Sequence, residues 1–169
     1  MCKGEFVTIN QHKILREAIR FRQLIQYCDP EKTALVTDAF PVMNCKLTSM
    51  ILVYHFLKLY PNLEIRGIGG VRPENGLITH YWLEIDGIVV DITGDQYNLI
   101  DDNQLDDFLI ALRPYSPIHV AKIEDSFLYD VFEISFVDCF TCGLPGIKES
   151  FVESLELSYS QLTSAEKCT

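Results

Sequence analysis

The chain has 169 residues, 48% apolar, 11% aromatic and 22% charged, enough for one ordinary domain whose core needs neither disulfides nor metal. Fourteen Lys and Arg against 24 Asp and Glu leave a net charge of −10. A nucleic-acid binder needs a basic face, so that balance disfavours a nucleic-acid partner and an anionic membrane surface alike. With no repeat and no low-complexity stretch, residues 1–169 read as a single domain: a helical part over about 1–60, a sheet part over about 64–140 and a closing helix over about 147–165.

Residues 10–28 predict an amphipathic helix. Ile14, Leu15, Ala18, Ile19, Phe21, Leu24 and Ile25 recur at helical spacing, Asn10 is placed to cap it, and Asp29-Pro30 ends it. A short helical turn is expected from Ala34 to Phe40, before Pro41. Cys45 to Tyr60 predicts a second helix, capped by Asn44 and apolar nearly all round, hence buried. Strands follow. Glu64–Val71 carries Gly67, Gly69 and Gly70, which we expect to let a chain pass close to an active cleft. Ile78–Ile85 alternates in polarity, Asp86-Gly87 is a two-residue hairpin signal, and Ile88–Thr93 returns. Asp101–Leu112 reads as helical, Ile118–Ala121 and Val131–Val137 as strands, and Ile147–Leu162 as the closing helix. The order predicts an α+β domain.

No apolar run follows Lys3, and the longest apolar patch, Met50–Leu57, is too short to span a bilayer. We therefore expect a cytoplasmic chain whose six cysteines, at irregular spacing, are thiols. Cys139-x-x-Cys142 lacks the further ligands of a zinc site and the helix start of a redox motif, so neither metal nor cofactor is expected.

Chemistry is expected at Cys45. A thiol becomes a strong nucleophile as the thiolate, which a helix N-terminus and a neighbouring imidazolium both favour. Pairing the hairpin about Asp86-Gly87 sets 85 against 88, 84 against 89 and 82 against 91. Asp91 then shares a face with His80 one diagonal step away, about 7–8 Å between backbones, a span side chains can bridge. Cys45, His80 and Asp91 thus form a candidate nucleophile, base and orienting carboxylate. Asp95 competes with Asp91 but lies beyond the hairpin. Trp82, on the same face, and Asn44, beside the thiol, are candidate substrate contacts. His55 lies ten residues along the helix from Cys45, about 15 Å away, and neither His12 nor His119 has local support as a base.

The run His80-Tyr81-Trp82-Leu83-Glu84-Ile85-Asp86-Gly87-Ile88-Val89-Val90-Asp91-Ile92-Thr93 resembles the histidine–aspartate hairpin of the transglutaminase-like superfamily, in which "H-A-W-x-E-V" precedes a strand ending near "D-P-T". Cys45 opening a helix with Ser49 four residues on is similar to that family's nucleophile helix. Asp91 to Tyr97 is similar to the "D-I-T-x-D-Q-[FY]" continuation of small bacterial transglutaminase-like cysteine peptidases and peptide-processing proteins. The resemblance covers about residues 40–97. Tyr81 stands where the family has a small residue, Ile92 where it has proline, and Cys45 lacks a flanking Gly or aromatic.

The resemblance implies a papain-like α+β core and acyl transfer through a Cys45 thioester on a peptide or protein substrate. Hydrolysis would make the chain a peptidase or amidase, and an amine acceptor would make it a transglutaminase or N-acyltransferase, arylamine acetyltransferases included. A non-catalytic protein-binding module on the same fold is the third alternative. A calcium-dependent crosslinker is disfavoured because no calcium loop is legible. Oligomeric state stays open.

Overall fold

The computed structural model describes residues 7–141 and 143–165. Helix α1 (Gln11–Tyr27) opens where the Asn10 side chain accepts from the Lys13 N–H at 2.9 Å, and it buries Ile14, Ala18, Phe21 and Ile25 as one stripe. The segment after it, expected to be helical from Ala34 to Phe40, is a series of turns. Leu35 at φ 62° lies in the left-handed region and cannot continue a right-handed helix.

Helix α2 (Cys45–Leu59) is buried through Met50, Ile51, Leu52, Val53 and Phe56, as its all-round apolarity requires. Strands β1 (Glu64–Val71), β2 (Thr79–Ile85), β3 (Ile88–Asp91), β4 (His119–Lys122) and β5 (Glu133–Thr141) form one antiparallel sheet in the order β4-β3-β2-β1-β5. Asp86 at φ 50° and Gly87 at φ 75° make the tight turn between β2 and β3. That turn sets Ile85 against Ile88, Glu84 against Val89 and Leu83 against Val90, the expected register.

The glycines of β1 leave its strand pairing continuous apart from one shift between Gly69 and Gly70. Their role differs from the expected one. A Cβ on Gly67 would lie 1.8 Å from the Tyr81 hydroxyl, and one on Gly69 would lie 2.2 Å from the Phe136 ring. They make room for aromatic rings of neighbouring strands, not for a chain entering a cleft.

Further boundaries move. Asp101–Leu112 is split into a 3-10 turn (Asp102–Gln104) and a short helix α3 (Asp107–Ala111), because Asp106 caps a fresh start by accepting from the Leu109 N–H. Val131, expected in a strand, ends helix α4 (Leu128–Val131), and β5 begins two residues later. Helix α5 (Glu149–Ala165) closes the chain.

The fold is mixed α+β, with apolar cores on both faces of the sheet. One gathers α1, α2 and α5 over Tyr81, Leu83, Ile85 and Val90. The other gathers Ile68, Trp82 and Val89 with Tyr97, Leu109, Tyr115, Leu128 and Phe132. Among the described residues no helix is long and apolar enough to cross a membrane, and no group of three or more His, Cys, Asp and Glu side chains is arranged to hold a metal ion.

Candidate active site

Cys45 is the first residue of α2, half-buried and a free thiol. His80 and Asp91 come from adjacent strands and are buried completely at their side chains. His80 Nε2 donates to Asp91 Oδ2 at 2.7 Å. A carboxylate only accepts, so this nitrogen carries the hydrogen. The other carboxylate oxygen accepts from the Thr93 N–H at 2.8 Å and from the Thr93 hydroxyl at 3.1 Å. The imidazole is walled by Tyr97, Phe132 and Trp82, with ring centres 5.5, 5.7 and 6.1 Å away.

The electrostatics follow from this burial. Desolvation alone would push the imidazole pKa down. The Asp91 charge and hydrogen bond outweigh it, the nearby Cys45 sulfur adds a smaller contribution, and His80 is raised to about 10. Burial would raise Asp91, but His80 and the two Thr93 donors hold it below its ordinary value. Asp91 occupies Nε2, and the partner of the other ring nitrogen, Nδ1, is the Gln96 side-chain amide at 2.8 Å.

Asp95, the rival carboxylate, does not reach the histidine. It is held by Arg22 of α1 in a two-pronged ion pair at 2.9 and 2.7 Å. Trp82 is wholly buried, and its indole packs on His80 and edge-on to Tyr129. It supports the imidazole rather than facing a substrate. Asn44 differs from expectation twice. It precedes α2, but its side chain does not cap the helix. It is also fully buried, donating to Thr37 Oγ1 and the Val42 carbonyl and accepting from the Thr37 N–H. It shapes the loop before Cys45 instead of lining a pocket.

The other histidines are occupied elsewhere or exposed. His55 lies between Glu17 and Tyr159, at 3.0 and 3.3 Å. His119 meets the Ser126 hydroxyl at 2.9 Å, and its burial pushes its pKa down against the opposing charge of Asp91. His12 is exposed. Cys139 is exposed on β5, and Cys142, its partner in the sequence motif, lies outside the described residues.

Two residues at the site were not foreseen. Gln96 carried a signal in its place within the Asp91–Tyr97 run. Arg22 carried one as a cation at the i, i+4 and i+8 positions shared with Ile14 and Ala18, on the apolar stripe of α1.

No family model, curated protein or solved structure matches this chain.

Proposed function

We propose that the chain is a cysteine-dependent acyl-transfer enzyme, a peptidase or amidase of transglutaminase-like type on a papain-like core, acting on a peptide or protein amide. The observation that carries this reading is a fully buried imidazole held by a carboxylate on Nε2 at 2.7 Å, with the Cys45 thiol, at the first residue of a helix, close enough to add to its proton affinity. Both side chains of the His80–Asp91 pair are completely buried, so the carboxylate's desolvation cost is offset at the imidazole it orients. The packing of α2 on an antiparallel sheet, with Cys, His and Asp in that chain order, supports the papain-like comparison.

In this mechanism the Cys45 thiolate attacks the amide carbonyl carbon, forming a C–S bond, with the carbonyl oxygen facing the first-turn N–H groups of α2. His80 gives its Nδ1 proton to the amide nitrogen, the C–N bond breaks, and the amine leaves. Water, or a second amine, then attacks the thioester while Nδ1 takes its proton, and the C–S bond breaks to return the thiolate. Asp91 keeps the hydrogen on Nε2, so that only Nδ1 gains and loses protons.

A peptide-like electrophilic probe tests the proposal. It should label Cys45 in the intact chain, lose all labelling in Cys45→Ser and most of it in His80→Ala. Adding an amine after acylation distinguishes transfer from hydrolysis by the product formed. Equal labelling of Cys45 with and without His80 would contradict the enzyme assignment and favour a binding module.

A further inference from the structure

Strand β3 ends at Asp91, and Thr93 to Asn98 turn the chain back beneath His80, with a 3-10 helix over Gly94–Asn98. Gly94 permits the close return: a Cβ there would sit 3.1 Å from both Asp91 Oδ2 and the Ser116 carbonyl. The turn presents Gln96, buried at 4% exposure, with its amide 2.8 Å from His80 Nδ1.

Both neighbours of Gln96 are anchored. Arg22 reaches from α1 to bind Asp95 in two places and the Ile92 carbonyl at 2.5 Å, and its guanidinium lies over the Phe40 ring at 4.4 Å. The Tyr97 hydroxyl donates to the Thr79 carbonyl at 3.2 Å, and the Tyr97 carbonyl accepts from Arg113 at 2.6 Å. A buried, charged brace on a turn of this kind costs desolvation free energy, and what it holds steady is the carboxamide at the imidazole.

The chemistry of that nitrogen explains why a carboxamide suits it. Asp91 accepts only, so Nε2 keeps its hydrogen and every change of protonation falls on Nδ1. Bare Nδ1 needs a donor, and protonated Nδ1 needs an acceptor. A carboxamide supplies either by a half-turn of its terminal group; a carboxylate supplies only the acceptor, and an aliphatic side chain supplies neither. Resting on the assignment of His80 as proton carrier to Cys45, we propose that Gln96 is a positioning residue that holds the imidazole at Nδ1 in both protonation states, with the Arg22–Asp95 ion pair as its brace.

The test uses the full chain with ¹⁵N-labelled histidine rings, the His80 signals being assigned by their loss in His80→Asn. The groups facing the ring are Asp91 from β3, Cys45 from α2 and Tyr97 from the turn, whose phenol burial keeps neutral. Gln96→Glu places an acceptor-only charge at Nδ1 and should raise the His80 midpoint by about one pH unit or more, a roughly tenfold gain in proton affinity. Gln96→Leu should slow iodoacetamide alkylation of Cys45 about fivefold to tenfold at neutral pH, because Nδ1 loses its holder. Asp95→Asn should slow it less, and should add little on top of Gln96→Leu, since both act through one contact.

A midpoint unmoved by Gln96→Glu overturns the assignment, and this near-isosteric variant decides the matter if Gln96→Leu fails to fold. Alkylation slowed by His80→Ala but untouched by Gln96→Leu overturns the role of Gln96 alone. Alkylation untouched by His80→Ala overturns the proton-carrier assignment beneath it.

Discussion

Replacing Asp91 by Asn removes one charge and one acceptor while keeping the shape. Its consequence can be worked from the hydrogen bonds. The Thr93 N–H donates to Asp91 Oδ1 and has no alternative role in the site. An Asn must therefore turn its oxygen toward Thr93, which points its NH₂ at His80 Nε2. A donor facing Nε2 strips that nitrogen of its hydrogen and moves it to Nδ1, the tautomer that cannot accept a proton from Cys45. The interval between an ordinary 6.5 and about 10 for His80 corresponds, at 1.36 kcal/mol per pH unit, to ~5 kcal/mol of preference for the imidazolium. Integrated to pH 7 against the unfolded chain, ~4 kcal/mol of stability depends on that proton, within the range for breaking a buried ion pair. Asp91→Asn should accordingly lose stability of that order in urea titrations and retain only residual probe labelling, down on the order of 10⁴-fold. Its ¹⁵N spectrum should report a neutral His80 protonated on Nδ1. A variant that keeps the Nε2–H imidazole and labels within about threefold of the parent would show that Asp91 does not set the tautomer, since positioned acid–base catalysis contributes at least about 10²-fold.

Other perturbations follow from the same structure. The folded chain holds a proton on His80 that the unfolded chain releases near 6.5, so this contribution is complete below that pH and is lost as pH rises through about 10. Asp91, lowered, contributes above its ordinary 3.8 and loses its effect as pH falls through its depressed value. Urea midpoints should therefore decline from pH 6.5 toward 10 and decline less in Asp91→Asn; parallel profiles would contradict the pairing. Gly67→Ala should cost about 1–3 kcal/mol by forcing Tyr81 aside. Combined with Tyr81→Leu it should cost less than the sum of the two; strict additivity in denaturant melts would show that the contact is not the cause.

The hairpin was legible because two local signals agree: the left-handed Asp86-Gly87 turn and the alternation of His80, Trp82 and Glu84. Together they fix which residues can meet His80, and they separate Asp91 from Asp95. Helix α2 was legible because apolar residues on every side leave a helix nowhere but the interior. Leu128–Val131 was not, since four residues are too few for a helical period, and Val131 and Phe132 carry β-branched and aromatic signals that read as strand. Glu84, on the face it shares with His80 and Trp82, is buried between Arg66 and the Tyr129 hydroxyl, partners from β1 and α4 that lie far from it in sequence. Asn44 and Trp82 were adjacent to the chemistry in sequence, yet burial turned both toward the protein. The contact of Gln96 with His80 was hidden for a related reason: it depends on how the turn after β3 folds back, and Arg22, which braces that turn, lies 70 residues from Ile92.

Site-resolved alkylation decides whether His80 activates Cys45. Iodoacetamide modification of the intact chain, quantified by peptide mass mapping, compares Cys45 with Cys28 and with Cys139, which is the more exposed thiol of Cys45 and Cys139. Half-buried Cys45 should react fastest near neutral pH, and His80→Ala should reduce its rate to or below that of Cys139. Reaction of Cys139 ahead of Cys45 in the parent chain, with no change at Cys45 in His80→Ala, would mean that His80 does not activate the thiol.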